Sequence, residues 1–200
     1  ELRTFGSGST QFACDPALTS ADRVRSFFGE AGVSIASVAT GVGFDEPVRP
    51  PVIGRALGDY ERTVREAKFA IELAASIECP FVRVFGFEFP DRESRKSALA
   101  RICDRLRLAV DAARNTGVKL VLENGGSFCH AHDLKEIIQE VNSNLLGASY
   151  SMAVAADAGE DPAEGARLLG DRLWVAKLKD RDGDRHPCPR PGRGRLAPRG

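Results

Sequence analysis

The stretch GVKLVLENGG, residues 117–126, sets one carboxylate, Glu123, directly after residues that read as a buried strand, and then loosens the backbone with Asn124, Gly125 and Gly126. A charge that ends a hydrophobic strand suits a chemical site. On residue type alone it also suits a salt link to a lysine or a helix cap. Polar residues close other strand-like runs in the same way, at Thr40, Glu88, Ser151 and Asp180. Arg83 stands inside the run FVRVFGF, where it can reach a substrate phosphate or hydroxyl, or pair with Glu88 or Asp91. Lys177, Lys179 and Asp180 end the run LWVAKLKD, and Asp184 and His186 follow in the triplet DRH, which a solvated loop explains as readily as a site.

The elements that must hold these residues alternate along the chain. VSIASVAT (33–40) reads as a strand after the helix pattern SADRVRSFFGEAG, where Ser20 can cap and Gly32 can stop. A long amphipathic segment carrying Val64, Ala67, Phe69, Ile71 and Leu73 ends before Pro80, and FVRVFGF (81–87) is the next strand. A helix with the stripe Leu99, Ile102, Leu106 and Val110 runs to Gly117. VKLVLE, LLGASYSM and LWVAKLKD read as strands, separated by the helices AHDLKEIIQEVNS and DPAEGARLLGD, with Pro162 in the first turn of the latter. Strand then helix, repeated, implies a parallel sheet, because parallel neighbours need a crossover. The fold class expected is therefore α/β.

Composition narrows the function. The 200 residues are 42% hydrophobic and 28% charged, with 28 Lys+Arg against 28 Asp+Glu, so no global field favours nucleic acid or an anionic membrane. No run approaches the ~20 apolar residues of a membrane span. Five cysteines, Cys14, Cys79, Cys103, Cys129 and Cys188, show no CxxC spacing, which argues against a disulfide scaffold or structural zinc and fits reduced thiols in a cytoplasm. FGSGST at 5–10 lacks the GxGxxG of a dinucleotide turn, and neither GxxxxGK[ST] nor GxSxG occurs. Residues 1–186 are expected to form one domain, with 187–200 a poorly ordered tail rich in Pro, Arg and Gly.

From Gly117 to His186 the order of features resembles the xylose isomerase-like TIM barrels, a superfamily that includes sugar-phosphate isomerases, epimerases and apurinic endonucleases. The matching features are a strand ending Glu-Asn, then AGEDP, then LLGDR, then a strand ending KD, and lastly DRH. Upstream, AGVSIASVATGVGFDEP and FVRVFGF resemble the second and third strands of that fold. The resemblance implies a (β/α) barrel, incomplete with about six of eight strands present, since a full barrel takes about 250 residues. Open strand edges would then favour a homo-oligomer.

The resemblance also implies a divalent metal (Mn, Mg, Co or Zn) held at the mouth by a Glu, an Asp, a His and a Glu from four strands. That metal would steady an enediolate while a carboxylate moves a proton between adjacent carbons. Glu123 matches the first position, as ligand and base. The Asp and His positions hold Ser151 and Lys177, a hydroxyl and an ammonium, and Asp184 with His186 match a metal-binding pair of the endonuclease branch. The implied site is then Glu123 and Lys179 as catalytic residues, with Arg83, Asn124, Lys177 and Asp180 against a small carbohydrate. Glu123, Asp184 and His186 would hold the metal. Two alternatives stand beside this reading: a barrel that has lost its metal and its catalysis, and an apurinic-site phosphodiesterase. The latter needs a histidine-rich site, and this chain has three histidines, His130, His132 and His186.

Overall fold

Six parallel strands lie side by side in the order in which the chain makes them. They are β1 (Leu2–Arg3), β2 (Val38–Gly43), β3 (Phe81–Phe85), β4 (Lys119–Glu123), β5 (Leu146–Ser151) and β6 (Leu173–Lys177). The computed structural model describes residues 1–3, 20–45, 62–86, 88 and 93–179, together with the backbone of 181–182 and 186–187. Outside the described residues lie the FGSGST run, Asp91, Asp180, Asp184 and residues 188–200. Helices α1 (Ala21–Glu30), α2 (Arg62–Ser76), α3 (Arg95–Ala112), α4 (Ala131–Val141), α5 (Met152–Asp157) and α6 (Pro162–Leu169) follow the strands in turn. Unbroken sequential order with parallel pairing is the topology of a (β/α) barrel, here six strands of it in a half-barrel. Beyond β6 the backbone forms a two-residue antiparallel ladder of β7 (Arg181–Asp182) and β8 (His186–Pro187). No helix among the described residues is long and apolar enough to cross a membrane.

Side chains alternate across each strand, and this divides the sheet into two unlike faces. Val82, Val84, Leu120, Leu122, Leu146, Ala148 and Tyr150 join Ile71, Ile102, Leu106, Leu134 and Ile137 of the helices in one buried cluster. The intervening residues, Arg83, Glu123, Ser149, Ser151 and Lys177 among them, face the concave side. The in-register pairs Phe85–Glu123, Glu123–Ser149 and Ser151–Lys177 bring the strand ends to a common rim.

Helix ends are closed by local chemistry. Ser20 accepts from the Arg23 N–H, Ser94 from the Ser97 N–H and Asp161 from the Ala163 N–H. Gly117 takes a φ of +79°, the left-handed turn that lets the chain leave α3 for β4.

Several boundaries differ from the sequence reading, among them FVRVFGF, which is strand only over Phe81–Phe85. The strand expected over 33–40 forms at Val38–Gly43, because the Val33 N–H donates back to Phe28 O at 2.9 Å and keeps residue 33 in the cap of α1. The run LLGASYSM stops at Ser151, and Met152 begins the short helix α5, which the strand pattern concealed. The run LWVAKLKD is strand only as far as Lys177.

Candidate functional site

Glu123 is 7% exposed at the end of β4, and its carboxylate is the meeting point of three strands. Oε2 lies 2.5 Å from Lys177 Nζ of β6 and 3.4 Å from Arg83 Nη1 of β3, and it accepts from the Ser149 hydroxyl of β5 at 3.4 Å. A second carboxylate, Glu1, just ahead of β1, reaches the same cations: Glu1 Oε1 is 2.8 Å from Lys177 Nζ and 3.5 Å from Arg83 Nη1. Two carboxylates and two cations thus form a charge-balanced knot within the curl of the sheet. Burial alone would raise the Glu1 carboxyl; the Lys177 hydrogen bond and charge, with Arg83, outweigh it and hold it below the usual range.

Arg83 is fixed on its far side as well. Its Nη2 donates to Thr40 O at 2.9 Å, the Thr40 hydroxyl donates back to Arg83 O at 2.6 Å, and the guanidinium stands 4.8 Å from the centre of the Phe85 ring. Asp91 lies outside the described residues, and within these Arg83 pairs not with Glu88 but with Glu1 and Glu123. Two-residue periodicity carries Arg83 onto the concave face, where those carboxylates are.

Asn124 braces the rim. Its amide donates to Cys129 O at 2.9 Å and Ser151 O at 3.1 Å and accepts from the Ser151 N–H at 2.6 Å, so the ends of β4 and β5 and the loop between them are tied by one side chain. The glycines after it serve a turn: Gly125 and Phe128 exchange backbone hydrogen bonds at 2.9 and 3.0 Å, and Gly126 sits at a φ of +58°. Lys179 is exposed two residues beyond β6. Asp180 and Asp184 lie outside the described residues, and His186 is described only as backbone in β8. Ser149 and Glu1 were not singled out in the sequence. Ser149 could have been found as the residue two before Ser151 on the same face, whereas nothing local marks Glu1.

The implied divalent metal can be tested against this donor set. Ser151 is 1% exposed, with its backbone N–H and carbonyl both bound to Asn124. Lys177 directs an ammonium, not a lone pair, at the Glu123 carboxylate. Two fixed cations already hold both carboxylates of the knot, Glu123 and Glu1, so the described rim residues do not fit a divalent cation.

A different group with ligand chemistry lies at the start of α4, where His130, His132 and Asp133 place their donor atoms within 4.8 Å of one another. There Asp133 also takes Arg95 Nη2 at 2.7 Å and the His130 N–H at 3.2 Å, both serving the helix start. Among the cavities, one of about 390 Å³ lies on the outer helical layer beside His132, Glu136 and Leu168, away from the rim.

A sequence profile described as xylose isomerase-like TIM barrel matches residues 1–198. No curated protein matches the chain by sequence. Among solved structures, the fold is similar to the IolI protein with a bound zinc atom, at TM-score 0.73 and 17% identity over 88% of this chain and 64% of that one. It is similar also to 3-keto-D-glucoside 4-epimerase YcjR from E. coli, at TM-score 0.65 and 16% identity over 80% of this chain and 64% of that one. A D-tagatose 3-epimerase-like protein aligns at TM-score 0.63 and 22% identity, over 82% and 62% of the two chains. The chain therefore spans less than two thirds of the length of each of these proteins, and the likeness is one of fold.

Proposed function

The chain belongs to the xylose isomerase-like TIM barrel family, and on that premise we propose that its rim binds a small carbohydrate and shifts a proton beside the sugar carbonyl, as isomerases and epimerases do. The observation that carries this is the buried Glu123 carboxylate held between Lys177 and Arg83 at the ends of three strands. A carbon-bound proton next to a carbonyl needs a base within reach and fixed positive charge where the oxygen becomes anionic. Glu123 is the base in this reading, and Lys177 and Arg83 supply the charge, so no step runs through a metal. Arg83, Asn124 and Lys177 position the sugar, the second of them by holding the rim together. Lys179 stands two residues beyond β6, while Asp180, Asp184 and the His186 side chain lie outside the described residues. Two cations matched by two carboxylates suit an uncharged polyol better than a phosphate, whose charge would find no surplus of cations.

A second reading, a carbohydrate-binding barrel without catalysis, draws on the three donors that already occupy Glu123 Oε2. Deuterium wash-in beside the carbonyl of D-fructose or D-tagatose, followed by NMR in heavy water with and without chelator, separates the two. The catalytic reading expects wash-in that chelator does not stop and that Glu123→Gln lowers by at least about 100-fold. Saturable binding with no wash-in leaves only the binding protein. Wash-in abolished by chelator would replace the present reading with a metal-dependent one.

A further inference from the structure

Lys177 is the one amine of the rim knot, and its surroundings have the geometry of an activated nucleophile. A base lies within hydrogen-bond reach, Glu123 at 2.5 Å, and that base is itself oriented by Arg83 and Ser149 at 3.4 Å each. A second carboxylate, Glu1, stands at 2.8 Å from the same nitrogen. The lysine side chain keeps 15% of its surface open at the end of β6, and the residues that face it across β5, Ser149 and Ser151, are small.

Resting on the proton-transfer reading above, we infer that Lys177 is a covalent catalyst, condensing with a ketose carbonyl to form an iminium beside Glu123, and that the reaction so supported is epimerisation of the adjacent carbon. The balance is complete without a co-reactant. Ammonium and ketone give iminium and one water: a C–N bond forms, the C–O bond breaks, and the two protons that nitrogen loses leave with the oxygen. Glu123 then takes the proton from the neighbouring carbon; the C–H pair becomes a C=C bond and the C=N pair moves onto nitrogen, giving a neutral enamine and a neutral carboxylic acid. A water protonates the other face of that carbon and restores the iminium, the hydroxide so formed takes the proton from Glu123, and a second water releases the epimer and the ammonium.

Charge makes this path fit a buried site. The first step keeps a single positive charge on the same nitrogen, so Glu123 and Glu1 retain their partner. The second step cancels a positive and a negative charge together, leaving no buried ion uncompensated. The nitrogen stays on the carbon that carried the carbonyl. The carbonyl therefore cannot migrate along the sugar, and this excludes aldose–ketose isomerisation by this route.

The test uses the full chain with D-fructose and D-tagatose as probes. Borohydride added during turnover should fix an adduct on Lys177, found in its tryptic peptide as the mass of the ketose less one oxygen. Lys177→Arg keeps the ion links but cannot form the iminium, so it should give no adduct there and lose wash-in at C3. Wash-in that persists in Lys177→Arg, or that borohydride leaves untouched with no adduct, overturns the covalent step while the proton-transfer reading survives. Adducts spread equally over exposed Lys179 and Lys119 mark surface glycation and also overturn it. Neither binding nor wash-in with either probe removes both.

Discussion

Glu123 and Asp133 are equally hidden acids, 7% and 5% exposed, yet they are held in opposite ways. Asp133 takes a backbone N–H three residues away and one arginine from the neighbouring helix. Those contacts, with His132 Nε2 at 3.2 Å, all lie in the first turn of α4 and the helix packed beside it. Glu123 draws its partners from β3, β5 and β6, residues 40, 26 and 54 positions away along the chain. Gathering the buried Glu123 with the half-buried Arg83 and Lys177 costs desolvation that packed apolar side chains would avoid. A fold in need of stability alone has no use for such a cluster, and the contrast points to the rim, not the helix start, as the place where chemistry is held.

The largest effect that could break this contrast is on stability. Glu123→Gln leaves Lys177 and Arg83 short of countercharge and should cost about 3–5 kcal/mol in denaturant unfolding. If it costs no more than the corresponding change at Asp133, the two acids are alike and the argument fails. Asp133→Ala should cost about 1 kcal/mol, with faster amide exchange confined to the first turn of α4. Global loosening there would instead make Asp133 the more central of the pair.

Smaller still is Arg95→Met. Its side chain is 44% exposed, so the loss should be about 0.2–1 kcal/mol and should vanish in high salt, which leaves the enclosed Glu123–Lys177 pair intact. The most selective test is acid. The Glu1 carboxyl is depressed in the folded state, so its contribution is present above the ordinary value of 4.5 and is lost as pH falls through the lower folded value. Glu1→Gln should flatten that part of the stability profile and leave the Asp133 region unmoved; an unchanged acid limb would show that the knot does not sense Glu1.

Much of the architecture was legible because periodicity is local. VKLVLE, the stripe Leu99, Ile102, Leu106 and Val110, the cap at Ser20 and the first-turn Pro162 each announce themselves within one turn or one strand. Glu123 was legible as a charge in the wrong place. Its partnership with Arg83, Lys177 and Glu1 was not, since sequence carries no distance between residues on different strands. The glycines after it read as a loosened backbone, whereas the left-handed angle of Gly126 belongs to a turn closed by Gly125 and Phe128. Helix α5 escaped because six residues of Met, Ala, Val and Asp continue a strand's composition without its alternation.

Each strand of the sheet pairs with the one made just before it, so assembly can proceed in the order of synthesis, each crossover closing only a short loop. The bond between Lys177 and Glu1 joins residues 176 positions apart and is the exception. It cannot close until the sixth strand has docked, which makes it a late clasp across the sheet. Cutting it with Glu1→Gln should quicken unfolding while leaving the refolding rate as it was, and a slowed refolding rate would show that β6 meets Glu1 early.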